Sequence, residues 1–322
     1  MKRFSAAVIG LGNIGQGYDY DTGELILTHA RAFARHPGFE LVAGVDPDEV
    51  QRKRFERLYL VPSYEDCAEL LATTHPEIVA LAVPTPMHAR IFASILDAGP
   101  KAVLCEKPLA DTLPEANDML SKAETAGCAL AVNYVRRSDP GARDLKRAID
   151  DREYGEIYKG VAWYSKGLRK NGTHIVDLLR HLLGEATGYA VLERGRAPLH
   201  PDPEPDFRIR FGSAEVYFFA AREECFSHFR IELMATGGRL VYADGGSDVR
   251  ARHVRDDPVF SGYRQLDPQI RRFTTDMGRY QWHALESLYR HLTTGAALAS
   301  DGASALATQT LVENIINLCE PA

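Results

Sequence analysis

The first apolar run of the chain passes directly into a glycine-rich motif, FSAAVIGLGNIG, at residues 4–15. The run Phe4–Ile9 has the length of a buried strand, and the GxGxxG pattern follows it without a break. Glycines at this spacing let backbone N–H groups and a helix N-terminus approach a pyrophosphate. The stretch therefore predicts a strand, a phosphate-binding turn and a helix that opens at the turn. The predicted phosphate-binding residues are Gly10, Gly12, Asn13, Ile14 and Gly15.

A carboxylate follows the next predicted strand. Leu41–Val45 ends at Asp46, whose side chain can accept hydrogen bonds from both hydroxyls of an adenosine ribose. Asp46 lies 31 positions after Gly15, where a spacing of about 20 is usual. We therefore interpret Gln16–Thr28 as an insertion after the turn, either a solvated loop or a lip over a dinucleotide cofactor.

The neighbours of this carboxylate bear on the choice of cofactor. Asp46 is followed by Pro47, which favours NAD(H) over NADP(H), because nothing adjacent would neutralise a 2′-phosphate. Three basic residues on the next predicted helix keep NADP(H) possible. They are Arg52, Lys53 and Arg54.

Short apolar runs alternate with amphipathic segments over the first 134 residues, which is typical of a mostly parallel sheet covered by helices. We predict an α/β Rossmann domain at residues 1–134. The predicted strands are Phe4–Ile9, Leu41–Val45, Ile78–Val83, Ala102–Cys105 and Leu130–Asn133. The predicted helices are His29–Arg35, Val50–Arg57, Met87–Asp97 and Leu113–Ala126.

The pattern changes after residue 135, where short runs with residue-by-residue alternation are joined by turn-rich links such as Thr236-Gly-Gly-Arg239. Such spacing predicts hairpins and one covered sheet face. We predict a C-terminal α+β domain with a largely antiparallel open sheet at residues 135–322. Its predicted strands are Ile157–Ser165, Tyr189–Glu193, Phe207–Phe211, Glu215–Ala221, Arg230–Ala235 and Arg239–Tyr242. Its predicted helices are Ala142–Asp150, Gln281–Thr293 and Ala303–Cys319.

Composition narrows the class of ligand. The 322-residue chain has a net charge of −6 and a pI near 6.0, which argues against a nucleic-acid or anionic-membrane partner. Five cysteines without a CxxC pair suggest neither a disulfide framework nor a zinc site. No stretch reaches the roughly 18 to 20 apolar residues that a membrane helix needs. We expect a cytoplasmic protein with a small-molecule substrate.

Two further segments resemble a known family. One is Val83-Pro84-Thr85-Pro86-Met87-His88 at the end of a strand, and the other is Cys105-Glu106-Lys107-Pro108-Leu109 at the end of the next. Together with the glycine motif they resemble the glucose-fructose oxidoreductase / inositol dehydrogenase family. The resemblance implies a nicotinamide dinucleotide cofactor and a homodimer or homotetramer formed through the open sheet. The additional cofactor-binding residues that we predict are Pro84, Thr85, His88 and Glu106.

Lys107 is the first candidate catalytic residue. Proline at position 108 keeps Lys107 out of the α region and can hold a cis or extended peptide. An ammonium at a strand end can donate a hydrogen bond to a substrate hydroxyl and stabilise an alkoxide as hydride leaves. The alternative is an ordinary surface turn.

A predicted helix after residue 172 carries the second candidates. His174, Asp177 and His181 fall on one face of it, and apolar residues occupy the other. When the motif is aligned on its end at Gly184, the resemblance makes His174 the acid/base residue and Asp177 a further catalytic residue. Lys170 then stands where the family usually has aspartate. The other register takes Asp177 and His181 as the pair.

The alternative interpretation is that these polar side chains form an ordinary solvent-exposed face of the helix. A metal site is disfavoured because no convergent further ligand is identifiable. Three basic residues precede the helix and suggest a negatively charged substrate, unless they simply lie in a solvated loop. They are Lys166, Arg169 and Lys170.

These features predict reversible hydride transfer between a nicotinamide cofactor and a secondary alcohol of a sugar, cyclitol or sugar nucleotide. Two alternatives stay open. One is glycoside cleavage through a tightly held NAD, and the other is a regulator that binds the dinucleotide without turnover.

Overall fold

The computed structural model describes residues 2–20, 23–195 and 202–319. The chain divides into two compact units: Met1–Ser138 with Gly278–Ala307, and Asp139–Met277 with Thr308–Ala322. The first break lies close to the predicted boundary at residue 134. The division into 1–134 and 135–322 did not anticipate that residues 278–307 join the first unit. They do so because Leu285 and Leu288 are fully buried in the same apolar cluster as Phe4.

The first unit is built on a six-stranded parallel sheet of order β3-β2-β1-β4-β5-β6 within residues 4–132. The order reverses between β1 and β4, which opens a crevice at the carboxyl ends of these strands. The strands are β1 Phe4–Ile9, β2 Phe39–Val45, β3 Ser63–Tyr64, β4 Ile78–Leu81, β5 Ala102–Cys105 and β6 Ala129–Val132. The helices are α1 His29–Arg35, α2 Glu49–Tyr59, α3 Cys67–Thr74, α4 His88–Asp97, α5 Leu113–Ala126 and, from the later segment, α8 Tyr280–Thr294.

Local chemistry explains several of these bounds. Thr28 caps α1 by accepting from the Arg31 N–H, and Thr112 with Glu115 forms a capping box at the start of α5. The four core strands β1, β4, β5 and β6 have almost no exposed residues. Two-sided burial of this kind is what helices on both faces of a parallel sheet produce.

The second unit contains a nine-stranded mixed sheet of order β14-β13-β12-β11-β7-β10-β9-β8, with β15 paired to β13, over residues 157–273 of the described chain. Adjacent strands are antiparallel except β10 and β7. The strands are β7 Ile157–Tyr164, β8 Ala186–Glu193, β9 Asp206–Phe211, β10 Ala214–Ala220, β11 Phe229–Ala235, β12 Gly238–Ala243, β13 Asp248–Asp256, β14 Arg264–Leu266 and β15 Arg271–Phe273. The helices are α6 Pro140–Asp150 and α7 Thr173–Leu183. The final helix, α9 Gly302–Asn317, contains the division between residues 307 and 308.

One face of this sheet is covered. Alternate residues of β9 are buried, as predicted, and Phe207 stacks on Phe218 of β10 with ring centroids 4.3 Å apart. Leu145 of α6 and Leu179 of α7 belong to the same buried cluster. The opposite face carries Trp163, which is 42% exposed.

The sequence did not predict β3, α3 or the strands β13 to β15. β13 has the sequence DVRARHVRD, and only two of its nine residues are buried. Its arginines gave it the composition of a loop, whereas pairing to β12 places it in the sheet. In the described parts of the chain, no helix combines the length and the apolar character needed to cross a membrane.

Candidate active site

The glycine turn after β1 is tightly constrained. Gly10 has a φ of +96°, and a Cβ there would lie 2.5 Å from the Ala82 carbonyl oxygen. A Cβ at Gly15 would collide with the Gly10 carbonyl oxygen. At Gly12, by contrast, an added Cβ would meet nothing within 4 Å. Gly12 therefore faces open space in which a phosphate can approach the backbone, which is the fit that a dinucleotide requires.

The segment that follows the glycine turn differs from the predicted one. Residues Asn13–Gly17 form a single π-helical turn, and α1 begins only at His29. A helical segment does open at the motif, but it is only this π-helical turn, and the insertion Gln16–Thr28 separates it from α1. Backbone N–H groups for an anion therefore come from the turn itself.

The insertion is anchored rather than loosely solvated. Asp19, which is 1% exposed, accepts hydrogen bonds from the Leu27 and Thr28 N–H groups at 2.7 and 2.9 Å. The Thr28 hydroxyl donates to the other Asp19 oxygen at 2.8 Å. Tyr18 is 54% exposed, and residues 21 and 22 lie outside the described residues.

Asp46 lies against the glycine turn, as the sequence suggested. Its Oδ2 accepts from the Leu11 N–H at 2.8 Å, and its Oδ1 accepts from the Asp48 N–H at 2.9 Å. Each carboxylate oxygen can accept a second hydrogen bond. The half-buried side chain is thus held in place with capacity left for two ribose hydroxyls.

The basic residues of α2 make contacts of their own. Arg52 donates to the carbonyl oxygens of Asp46 and Pro47 at 2.8 and 2.9 Å. Lys53 pairs with Glu49 at 2.7 Å, and the Arg54 guanidinium lies 3.6 Å from the centre of the Tyr20 ring. All three are therefore engaged within the first unit.

The segment after β4 contains three of the predicted cofactor-binding residues. Pro84 is exposed and Thr85 half-buried, in a short 3₁₀ turn that leads into α4. His88 is fully buried, and its ring nitrogens lie 3.0 and 3.1 Å from the carbonyl oxygens of Val83 and Leu109. The His88 side chain thus ties the loop after β4 to the loop after β5, and the predicted contact of this residue with a cofactor stays a prediction.

Glu106 and Lys107 follow β5 at the same edge of the sheet. The Glu106 N–H donates to the Leu81 carbonyl oxygen at 2.9 Å, and the Lys107–Pro108 peptide is cis. Burial raises the pKa of the Glu106 carboxyl, but hydrogen bonds from His29 and Asn133 and the charge of Lys107 outweigh it, so the pKa lies below its usual value. Glu106 is therefore a carboxylate at neutral pH.

Sequence reasoning missed three residues of the hydrogen-bonded group around Glu106. His29 and Asn133 contact Glu106 itself, and Gln281 contacts His29 and Asn133. His29 Nε2 lies 2.8 Å from Glu106 Oε1, and Asn133 Nδ2 donates to the same oxygen at 2.7 Å. Asn133 directly follows β6, so its position at the carboxyl edge of the sheet, beside β5, could have been predicted from the sequence. Gln281 comes from α8 and gave no local signal.

In the second unit, α7 carries the predicted acid/base residues. His174 and His181 are half-buried, whereas Asp177 is 2% exposed. Asp177 Oδ1 accepts from the Thr308 hydroxyl at 2.9 Å, and Arg180, also buried, contacts that hydroxyl at 2.5 Å. Asp177 is therefore part of a buried polar group that holds α7 against α9, and the predicted solvated polar face does not include it.

Lys166 and Arg169, which precede α7, are paired with carboxylates. Lys166 Nζ lies 2.8 Å from Glu223, and Arg169 makes two 2.8 Å hydrogen bonds to the Glu313 carboxylate. The Lys170 backbone N–H donates to Asp202 at 2.8 Å. Two of the three cations are thus balanced by carboxylates, which removes much of the charge argument for an anionic substrate. Within the described residues, no group of three or more His, Cys, Asp or Glu side chains could hold a metal ion.

Comparison with known proteins agrees with this geometry. Residues 4–134 match the oxidoreductase family with an NAD-binding Rossmann fold. The chain is 27% identical over 208 residues to D-apiose dehydrogenase of Paraburkholderia graminis, covering 59% of this chain and 52% of that protein. It is 30% identical over 177 residues to scyllo-inositol 2-dehydrogenase (NAD(+)) of Bacillus subtilis, covering 54% and 47%. The match spans about half the length of these relatives.

The fold of the whole chain also has solved counterparts. UDP-N-acetylglucosamine 3-dehydrogenase from Acidithiobacillus ferrooxidans superposes with a TM-score of 0.78 at 15% identity, covering 99% of this chain and 98% of that one. At this identity the likeness concerns the fold alone. The sequence motifs, the family match and the strand order agree that residues 4–134 form a Rossmann domain that matches the oxidoreductase family with an NAD-binding Rossmann fold.

Proposed function

We propose that this chain is an NAD(H)-dependent oxidoreductase that interconverts a secondary alcohol and a ketone on a sugar, cyclitol or sugar nucleotide. One observation carries the proposal. The glycine turn, Asp46 and Lys107 all lie at the carboxyl edge of one parallel sheet, after β1, β2 and β5. In such sheets this edge is where dinucleotides and their substrates bind.

The proposed roles follow from the chemistry of the side chains. When bound, NAD supplies the hydride acceptor. The Lys107 ammonium donates a hydrogen bond to the reacting hydroxyl oxygen, and its charge stabilises the alkoxide character that develops there. His174 accepts the hydroxyl proton, since an imidazole exchanges protons readily near neutral pH. Asp177, one helical turn from His174, keeps α7 in position through Thr308.

A preference for NAD(H) over NADP(H) is part of the proposal. A 2′-phosphate placed at the adenosine ribose would meet the Asp46 carboxylate, and like charges repel. Arg52 could relieve this only by leaving the Asp46 and Pro47 carbonyl oxygens. Lys53 is likewise paired with Glu49.

The names of the relatives support a polyol substrate. Two of them are dehydrogenases of a sugar and of a cyclitol. The paired cations before α7 give no reason to prefer an acidic sugar. We also propose a cytoplasmic location and a homodimer or homotetramer.

A substrate screen tests the proposed function. The purified chain would be incubated with NAD or NADP and a panel of sugars, cyclitols, sugar acids and nucleotide sugars, and formation of the reduced cofactor followed by absorbance. Turnover of a secondary alcohol with NAD is the expected result. Cleavage of aryl glycosides by protein with retained NAD would show a glycosidase instead, and dinucleotide binding without turnover would show a regulator. The comparisons give no support to either alternative.

A further inference from the structure

Four polar side chains are enclosed together beneath the Glu106-Lys107 turn. His29 and Gln281 are fully buried, Asn133 is 4% exposed, and the Glu106 side chain is 13% exposed. They come from the start of α1, the start of α8, the end of β6 and the end of β5. A buried polar group is costly unless it is hydrogen-bonded, so their arrangement is constrained.

The four side chains form a closed ring of hydrogen bonds. His29 Nε2 lies 2.8 Å from Glu106 Oε1, which also accepts from Asn133 Nδ2 at 2.7 Å. Asn133 Nδ2 donates its second hydrogen to Gln281 Oε1 at 3.0 Å. Gln281 Nε2 completes the ring 2.8 Å from His29 Nδ1 and 3.1 Å from Nε2.

The carboxylate determines which atoms of this ring donate hydrogen bonds and which accept them. Glu106 can only accept, so Asn133 must present its amide nitrogen to it. Asn133 then donates to the Gln281 carbonyl oxygen, which turns the Gln281 nitrogen towards His29. The Gln281 amide nitrogen donates and therefore needs an acceptor, and Nδ1 is the nearer of the two nitrogens of the His29 ring. The ring therefore requires the tautomer of His29 with hydrogen on Nε2 and a lone pair on Nδ1.

The remaining atom of Asn133 fits this orientation. Its Oδ1 is buried without a partner among the described residues, and so is the Ser300 hydroxyl. Asn133 and Ser300 both line a cavity of about 20 Å³, a volume sufficient for one water molecule. Asn133 and Ser300 thus each contribute an unpaired polar group to the described residues that line this cavity.

The other Glu106 oxygen reaches the catalytic turn. The Lys107 N–H donates to Glu106 Oε2 at 3.3 Å. A carboxylate fixed at Oε1 therefore restrains, through Oε2, the peptide on which Lys107 is carried. His29 is the residue that holds Oε1 from the side of α1.

We propose that His29 is a positioning residue for Lys107. It donates from Nε2 to Glu106 Oε1 and so fixes the carboxylate that anchors the Lys107 backbone. This inference rests on the proposed function, because its kinetic effect presupposes that Lys107 polarises a substrate hydroxyl. A displacement of about 1 Å in a reacting group can cost roughly 100-fold in rate, so partial loosening should cost about 10-fold.

The chain contains a closely matched control. His36, which follows α1 directly, is 3% exposed, and its Nε2 lies 3.1 Å from Glu286 while its Nδ1 accepts from the Gly38 N–H. Like His29, it is a buried histidine whose Nε2 lies within hydrogen-bond distance of a glutamate, but its hydrogen bonds involve Glu286 and Gly38 rather than Glu106. Replacing either histidine removes the same kind of hydrogen bond.

The test compares three variants: His29→Leu, His29→Gln and His36→Leu. We expect kcat to fall about 10-fold in His29→Leu, with KM for the alcohol and NADH affinity within about 2-fold. His29→Gln should recover most of kcat, because its amide supplies both a donor for Glu106 and an acceptor for Gln281. His36→Leu should lower the thermal midpoint as His29→Leu does and leave kcat nearly unchanged.

Equal losses of kcat in His29→Leu and His36→Leu, or no recovery in His29→Gln, would overturn the positioning role while the unmodified protein still turns over. Absence of turnover in the unmodified protein would instead overturn the proposed function and the kinetic role with it. Nitrogen-15 NMR of the histidine rings tests the hydrogen-bond ring without activity. We expect the signature of the Nε2–H tautomer for His29 at neutral pH, and the Nδ1–H tautomer would contradict the ring.

Discussion

The two units use their charged residues differently. In the first unit, Asp46 and Glu106 are held by backbone N–H groups and buried side chains, and Asp46 keeps acceptor capacity at the sheet edge. In the second unit, Arg169 is paired with Glu313, and Asp177 is bonded to Thr308. Asp46 thus keeps unused hydrogen-bond capacity at the sheet edge of the first unit, whereas Arg169 and Asp177 contribute mainly to packing in the second.

The largest expected effect concerns Lys107, and Lys101 provides its control. The two lysines flank β5, and Lys101 pairs with Glu77 at 2.6 Å at the opposite end of the strand. We expect Lys107→Ala to lower kcat by about 100-fold or more, the loss typical of a removed proton-transfer or polarising group. Lys101→Ala should change kcat by less than 2-fold, because Lys101 lies at the other end of β5. Its exposed ion pair contributes at most about 1 kcal/mol to the free energy of unfolding. Similar kinetics in the two variants would remove Lys107 from the proposed chemistry.

The second unit is tested by His174. If the acid/base group lies on α7, His174→Ala should lower kcat by about 100-fold while NADH binding stays intact. His181→Ala, on the same helix and also half-buried, is the control for the alignment. Loss of activity in His181→Ala but not in His174→Ala would assign the role to the Asp177/His181 pair instead.

An intermediate effect is expected at the adenosine ribose. Asp46→Ala should weaken NAD binding by about 10-fold or more, since a hydrogen bond to a charged group contributes roughly 1.5 to 3 kcal/mol. NADP binding should change less, because the variant also removes a repulsive charge. The control is Asp48→Ala, which removes an exposed carboxylate that caps α2 through the Val50 N–H. Titration calorimetry with both cofactors measures these changes, and tighter binding of NADP by the unmodified protein would contradict the role of Asp46.

The parts of the fold and of the candidate site that could be predicted from the sequence are those determined by neighbouring residues. The bounds of α1 and α5 follow from Thr28 and from the Thr112 capping box, and the sequence placed both helices correctly. Asp46 and Lys107 were identifiable because strand ends carry ligand-binding residues in parallel sheets.

Long-range partners left no such pattern. Gln281 reaches His29 across 252 positions, and Arg169 reaches Glu313 across 144. Neither separation corresponds to a helix or hairpin period, so sequence alone could not show that Arg169 is paired or that Glu106 belongs to a buried hydrogen-bonded group with His29, Asn133 and Gln281.

The smallest expected effect separates a packing role of Arg169 from a binding role. Arg208 is its matched control: the Arg169–Glu313 pair has side-chain exposures of 41% and 19%, and the Arg208–Glu215 pair has 35% and 20%. We expect Arg169→Ala and Arg208→Ala to lower the free energy of unfolding by about 1 kcal/mol or less, as partly exposed ion pairs do. Both should leave KM for neutral polyols and for sugar acids within 2-fold. An increase of 10-fold or more in KM for sugar acids, in Arg169→Ala alone and weakened by salt, would show instead that the guanidinium binds an anionic substrate and that the second unit also prepares charge for its ligand.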